Sequence, residues 1–207
     1  QDAFPSDPTQ WADVDGDGFG DNSSGNDADE CPTVAGTSTV DRLGCVDSDG
    51  DGYSDPDPNT NWLPAQGADA FPNEPTQWAD QDIDSYGDNP AGVRADDCPT
   101  VRGSSTTDRL GCVDNDGDGY SDASGDWTVL QGADACPLIY GFSTADRIGC
   151  LDTDEDNYSD PTVDYGVEDG ADAYPNDPTR WILEPEEETS LLAGSCLLYT
   201  SDAADDC

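Results

Sequence analysis

The chain has 207 residues, with six Lys and Arg against 48 Asp and Glu, no His, and a formal net charge of −42. That balance excludes a nucleic-acid partner and disfavours anionic membrane surfaces, since both need basic side chains, and no apolar run approaches the ~20 residues of a membrane span. Val, Leu, Ile and Phe make up only 29 of the 207 residues, too few to fold around a hydrophobic core, so eight cysteines and patterned aspartates point to a fold held by disulfides and metal.

In chain order, the first unit is "DAFPSDPTQWAD" (2–13), which returns as "DAFPNEPTQWAD" (69–80) and "DAYPNDPTRW" (172–181). Its "DPTQW" portion predicts one helical turn, with Asp7 near the start and Pro8 at the first position. The second unit, "CPTVAGTSTVDRLGCVDSDGDGYSD" (31–55), recurs as residues 98–122 with 21 of 25 positions identical, and again as 136–160. Between the units lie variable stretches rich in Gly, Pro, Asn, Asp and Ser, a turn vocabulary. No window carries a sustained helical or strand period, so little regular secondary structure is expected. The opening "QDAFP" reads as the tail of a repeat, and no signal peptide precedes it, so a mature chain or a fragment is expected.

The two units share one grammar. A distal Asp precedes Cys, Phe or Tyr and then Pro; a connector follows; then Cys or Trp, one residue, and the first Asp of the next loop. Cys31 and Cys45 therefore hold the places of Phe4 and Trp11. Disulfides and aromatic pairs are expected to be alternative clasps at one position, with Phe4–Trp11, Phe71–Trp78 and Tyr174–Trp181 as the aromatic pairs. Eight cysteines allow 105 connectivities, and the repeat selects Cys31–Cys45, Cys98–Cys112 and Cys136–Cys150. Each closes a loop of about 15 residues, worth roughly 3 kcal/mol in the chain-entropy model. A zinc site is excluded, because it needs clustered Cys or His at short spacing. Paired cysteines place the chain in an oxidising, extracellular setting. Arg42, Arg109 and Arg147, inside the closed loops, are expected to pair with nearby carboxylates and hold the connectors.

Five nine-residue loops carry Asp at positions one, three, five and nine: Asp13, Asp15, Asp17 and Asp21; Asp47, Asp49, Asp51 and Asp55; Asp80, Asp82, Asp84 and Asp88; Asp114, Asp116, Asp118 and Asp122; Asp152, Asp154, Asp156 and Asp160. Hard carboxylate oxygens at alternating places, without His or free Cys, suit Ca²⁺. Position seven is always aromatic, Phe19, Tyr53, Tyr86, Tyr120 or Tyr158, and there the ligand is expected to be the backbone carbonyl, leaving the ring to local packing. An EF-hand demands Glu at position twelve, where this chain has Ser24, Pro58, Ala91, Gly125 and Val163. The missing ligand is sought in the distal Asp29, Asp69, Asp96, Asp134 and Asp172.

The run Asp-x-Asp-x-Asp-Gly-x-x-Asp with a later Asp-x-Cys-Pro resembles the thrombospondin type 3 repeat, over residues 1–181. The resemblance implies an irregular, elongated chain wound around calcium ions, stabilised by disulfides, with the loop and distal aspartates as ligands and at least five ions bound. This chain departs from the family in its long insertions, its aromatic clasps, and Ser85, Glu155 and Asn157 in loops three and five. Those two loops are expected to bind more weakly. Residues 182–195 read as an acidic linker or the start of a further segment, and "CLLYTSDAADD" (196–206) resembles translated sequencing adapter, which would make 196–207 a non-biological tail.

Catalysis finds no support: without His there is no Ser-His or Cys-His nucleophile pair, so no enzyme is expected. The function expected is an extracellular, calcium-stiffened structural repeat that self-associates into a fibre or head-to-tail array, repeats of this kind propagating in one dimension. The alternative is a stalk or spacer of a cell-surface adhesin or secreted enzyme.

Overall fold

The computed structural model describes residues 2–183, so the expected linker beyond 183 and the tail at 196–207 lie outside the described residues. The chain divides into two compact units, Gln1–Asp114 and Asn115–Cys207, the division falling inside the fourth aspartate loop. The backbone is irregular. Among the described residues the regular elements are three single 3₁₀ turns, Pro64–Gln66, Val129–Gln131 and Val167–Asp169, with a few isolated bridges. No described helix is long and apolar enough to cross a membrane. "DPTQW" forms one tight turn, Gln10 N–H to Asp7 C=O at 3.2 Å, and does not wind into a helix. The Asp7 carboxylate accepts from the Thr9 N–H and hydroxyl at 2.8 and 2.6 Å, the Asx geometry that competes with helix.

What is buried is small or polar. The buried apolar side chains are Cys45, Cys112, Cys150, Ala68, Ala133, Ala171 and Tyr86; alongside them lie Gln10, Gln77, six serines and the five distal aspartates. The three disulfides form as the repeat implies, Cys31–Cys45, Cys98–Cys112 and Cys136–Cys150. Within each closed loop one fully buried serine sets the backbone. Ser38 accepts from the Cys45 N–H and donates to the Arg42 carbonyl, and Ser105 and Ser143 repeat the pattern.

Connector type decides the form of the insertion two steps later. After the aromatic connectors, Gln10 and Gln77 reach into the short insertions that follow loops one and three. Gln77 accepts from the Asn89 N–H at 2.9 Å and donates to the carbonyls of Asn89 and Val93 at 3.0 and 3.2 Å; Gln10 does the same with Asn22 and Asn26. Gly87 and Gly92 have no room for a side chain, since a methyl group on either would lie within 2.4 Å of Gln77. Asn22, the first residue of an Asn-Ser-Ser sequon, spends its amide on the Thr9 carbonyl at 2.8 Å.

After disulfide connectors the insertions are longer and close on an aromatic ring. Arg42 stacks over Trp62 at 5.4 Å and Arg147 over Tyr165 at 4.3 Å. Rings are the close partners here, with Arg42 also near the Glu30 carbonyl and the Cys31 sulfur and helping to lower the Asp57 carboxyl after that residue's own hydrogen bonds, and Arg147 donating to the Ser159 hydroxyl at 3.2 Å. Arg109 donates to the Asp97 carbonyl at 3.1 Å and lies 3.3 Å from the Cys98 sulfur. Arg42 and Arg147 do hold their connectors through π faces: a guanidinium stacks well and keeps its donors free in the ring plane.

The aromatic clasps differ from expectation. The connector from Phe71 to Trp78 is closed by the residue before it, Ala70 N–H to Trp78 C=O at 3.0 Å, while the Trp78 ring stacks on Tyr53 of the preceding loop at 5.1 Å and 5°. Trp181 likewise stacks on Tyr158 at 5.3 Å and 7°. Trp and Cys also differ in register. In disulfide connectors the matching backbone bond ends two residues before the second Cys, as in Glu30 N–H to Leu43 C=O. The longer loop thus reaches the same point by a different path. Replacing Gln77 with Ala strands two carbonyls and one N–H, each worth about 1–3 kcal/mol when buried and unpaired. The expected loss is about 3 kcal/mol in denaturant unfolding with metal saturating.

Candidate metal centres

Each loop is folded by its own aspartates. At position one, Asp47 accepts from Gly50 N–H at 2.7 Å and Gly52 N–H at 3.0 Å, one through each carboxylate oxygen; Asp13, Asp80 and Asp152 do likewise. At position five, Asp51 accepts from Tyr53 N–H at 2.8 Å. Turning two N–H groups onto one carboxylate puts positions four and six at positive φ. Glycine fills both places in loops one, two and four, with φ from 81° to 100°. Loop three has Ile83 at 66° and Ser85 at 78°, and loop five has Glu155 at 65° and Asn157 at 80°. The left-handed region costs an ordinary side chain roughly 1–2 kcal/mol, most for a β-branched one such as Ile83.

This winding turns positions one, three and five inward. In all five loops these carboxylates offer oxygens within 4.8 Å of one another: Asp13, Asp15 and Asp17; Asp47, Asp49 and Asp51; Asp80, Asp82 and Asp84; Asp114, Asp116 and Asp118; Asp152, Asp154 and Asp156. Such a triad can hold a metal ion. At position nine, the carboxylates of Asp21, Asp55, Asp122 and Asp160 accept from the position-two N–H and close the loop, whereas Asp88 Oδ1 is buried without a hydrogen-bond partner. The Asp55 N–H donates to the Val46 carbonyl at 2.7 Å, and its carboxylate accepts from the Ser48 N–H and hydroxyl. At position seven, the carbonyls of Phe19, Tyr53, Tyr86 and Tyr158 accept no hydrogen bond among the described residues.

One backbone bond brings the distal aspartate to every loop. The N–H groups of Asp29, Asp69, Asp96, Asp134 and Asp172 each donate to the position-eight carbonyl, of Gly20, Ser54, Gly87, Ser121 and Ser159, all at 2.9 Å. Each distal Oδ1 then accepts the N–H two residues on, at 2.6 or 2.7 Å. Each distal Oδ2 is buried without a hydrogen-bond partner, on side chains between 0 and 6% exposed. The position-three carboxylates Asp15, Asp49, Asp82, Asp116 and Asp154 also present unpartnered buried oxygens.

The connector after the loop completes the enclosure, in two ways. Where a disulfide connector follows, a glycine N–H donates to the position-five Oδ2, Gly36 to Asp17 at 3.0 Å and Gly103 to Asp84 at 3.1 Å. The glycine before the second Cys then sits against both carboxylates: a methyl group on Gly44 would lie 2.4 Å from Asp29 Oδ1 and 3.2 Å from Asp17 Oδ2. Gly111 and Gly149 are placed alike, against Asp96 and Asp84 and against Asp134 and Asp118. Where an aromatic connector follows, the Tyr–Trp stack takes this role, and the position-five Oδ2 of Asp51 and Asp156 stays unpartnered. These glycines, serines and glutamines were not singled out by the sequence pattern of acidic ligands, although each recurs at a fixed offset from Cys or Trp.

Crowded carboxylates away from water resist ionisation. Burial pushes Asp69 and Asp134 up to about 7 and Asp96 to about 6; in each, the N–H two residues on pulls the other way and the loop aspartates push further up. Asp29 and Asp172 move in the same direction for the same reasons. No protein-family model matches the chain, and no curated protein matches it.

A folded value near 7 against an ordinary 3.8 means that the metal-free fold holds protons which the unfolded chain releases. Metal-free stability is then lost as pH rises between those values, and metal uptake, which displaces the protons, strengthens over the same range. Metal-free chain is expected to melt higher at about pH 5 than at about pH 8, read by circular dichroism. In loop three, Ile83→Gly relieves left-handed strain and should raise stability by about 1 kcal/mol after the added unfolded-chain entropy is counted, measured by calorimetry with metal saturating.

Proposed function

We propose that the chain is an extracellular calcium-binding structural repeat. The observation that carries this reading is the recurrence, five times, of a buried distal carboxylate with an unpartnered Oδ2 beside an aspartate triad. A buried, unpaired carboxylate is costly unless a cation or proton satisfies it, and here oxygen is the sole donor type. That donor set favours Ca²⁺, which takes six to eight oxygens in flexible geometry, over Mg²⁺, which keeps its waters, or zinc, which prefers sulfur and nitrogen. The residues that would hold it are positions one, three and five of each loop, the position-seven carbonyl and the distal aspartate, with position nine closing loops one, two, four and five and offering a further unpartnered oxygen at Asp88. Bound calcium supplies charge neutralisation and a fixed geometry for these oxygens. Affinities of about 10⁻⁴–10⁻³ M, usual for extracellular modules, suit a permanently calcium-rich exterior.

The loop and distal aspartates account for 25 of the 48 acidic residues, and five ions would still leave a net charge of −32. Calcium in this reading stiffens a non-catalytic rod or fibre, and the thrombospondin type 3 resemblance of the loops and disulfides supports it. Removing calcium leaves carboxylate repulsion unopposed. In excess chelator near neutral pH, the chain is expected to expand in small-angle scattering and lose its near-ultraviolet dichroism, with calorimetry giving at least five calcium ions per chain. Unchanged scattering and dichroism in chelator would sink the reading.

A further inference from the structure

The five loops do not offer the same oxygens. In loops one, two and four the position-five N–H donates to the position-three carboxylate: Asp17 to Asp15 at 3.4 Å, Asp51 to Asp49 at 3.2 Å and Asp118 to Asp116 at 3.3 Å, each to Oδ1. One unpartnered buried oxygen, Oδ2, remains on each of Asp15, Asp49 and Asp116. In loop three the same N–H, of Asp84, turns to the position-one carboxylate and donates to Asp80 Oδ1 at 3.2 Å. Asp82 then keeps both carboxylate oxygens buried and unpartnered, and Asp154 does so at the same place in loop five. Burial pushes the Asp82 carboxyl up, Asp84, Asp80 and Asp88 push it further, and the opposing pull of the Asp84 N–H is the weakest of these.

Each of these two loops also has a distal carboxylate aimed at the same site. Asp96 is 6% exposed and Asp172 fully buried, each with Oδ2 unpartnered, and Asp96 Oδ1 and Asp84 Oδ2 lie against one glycine, Gly111. Loop three adds Asp88 Oδ1, and loop five adds Asp156 Oδ2, as Asp51 Oδ2 does in loop two. A buried carboxylate oxygen without a partner costs the metal-free loop most and has no hydrogen bond to give up when a cation arrives. Ca²⁺ accepts a carboxylate through one oxygen or both, and its affinity is tuned by its ligands. Asp82 and Asp154 can supply two unpartnered oxygens where Asp15, Asp49 and Asp116 supply one.

We propose that Asp82 and Asp154 set the order in which the loops fill, so that loops three and five take calcium ahead of loops one, two and four. The proposal rests on the calcium reading and adds a rank to it. The rank is the reverse of that expected from Ser85, Glu155 and Asn157, whose side chains are exposed and carry none of these oxygens. Loop three lies in the first compact unit and loop five in the second, so each unit contains one loop that fills first and holds its fold while the others fill.

Withdrawing calcium from the saturated full chain with a competing chelator, followed by amide NMR, tests this loop by loop. The position-seven N–H reports on each site, because in every loop it donates to the position-five carboxylate, at 2.8 or 2.9 Å. The Tyr86 and Tyr158 amides are expected to keep their calcium-bound positions down to free calcium about tenfold lower than those of Phe19, Tyr53 and Tyr120, the order expected for one further buried oxygen satisfied. Asp82→Asn and Asp15→Asn keep the side chain's size and leave one oxygen each. The first is expected to cost loop three about tenfold more than the second costs loop one, removing the lead of Tyr86 and leaving that of Tyr158 in place. The order in the parent chain is read without any variant. Five amides that move together, Tyr86 or Tyr158 among the first to release calcium, or two variants of equal cost overturn the proposal while the calcium reading stands. Amides that do not respond to calcium at all defeat the calcium reading with it.

Discussion

Repulsion among closely spaced carboxylates is the constraint on which the rest of the structure depends. The loops gather three aspartates within 4.8 Å and bring a fourth, almost fully buried, beside them. Most local devices among the described residues serve to hold it. Backbone N–H groups at positions four and six face the first carboxylate, the N–H two residues on faces the distal one, and the position-eight carbonyl anchors the distal backbone. The donors are backbone because the side chains with positive charge number only six.

This inverts the usual relation between core and site. In an ordinary domain, apolar packing supplies stability and a polar site is placed upon it. Here the buried apolar groups are disulfides, alanines and one tyrosine, and the buried polar groups include the site itself. Disulfides limit the unfolded chain and so stabilise without needing a core. A metal held by these triads would make stability and metal binding one free energy.

The connectors act as two solutions to one problem. A disulfide connector closes the preceding loop with a glycine N–H on the position-five carboxylate and also clamps the next loop, as Thr39 and Val40 N–H groups do on the Gly52 carbonyl at 2.9 Å. An aromatic connector has seven fewer residues between its distal Asp and the next loop, too few for that excursion, and uses a ring stack in its place. Each then determines what the following insertion requires. Gln10 and Gln77 fill the short ones, whereas the long ones turn back through a Trp or Tyr that packs under a left-handed glycine, Gly67, Gly132 or Gly170.

The sequence by itself determined the irregular architecture, the disulfide pairing and five loops of four aspartates with a distal aspartate after each, because these follow from composition and from a repeat with fixed offsets. Only the tertiary structure decided which groups touch across those offsets. The indole of Trp78 met Tyr53 instead of Phe71, since the clasp there is made by backbone and the rings are free to turn outward. Arg42 and Arg147 met rings as their close partners, since the long insertions fold an aromatic residue beneath them. The position-nine aspartates were indistinguishable by spacing from those of the triad, and the loop's own winding turned Asp21, Asp55, Asp122 and Asp160 to its closure while leaving Asp88 with an unpartnered buried oxygen. A repeat reports which residues are equivalent; which way a side chain faces depends on the path of the chain between them.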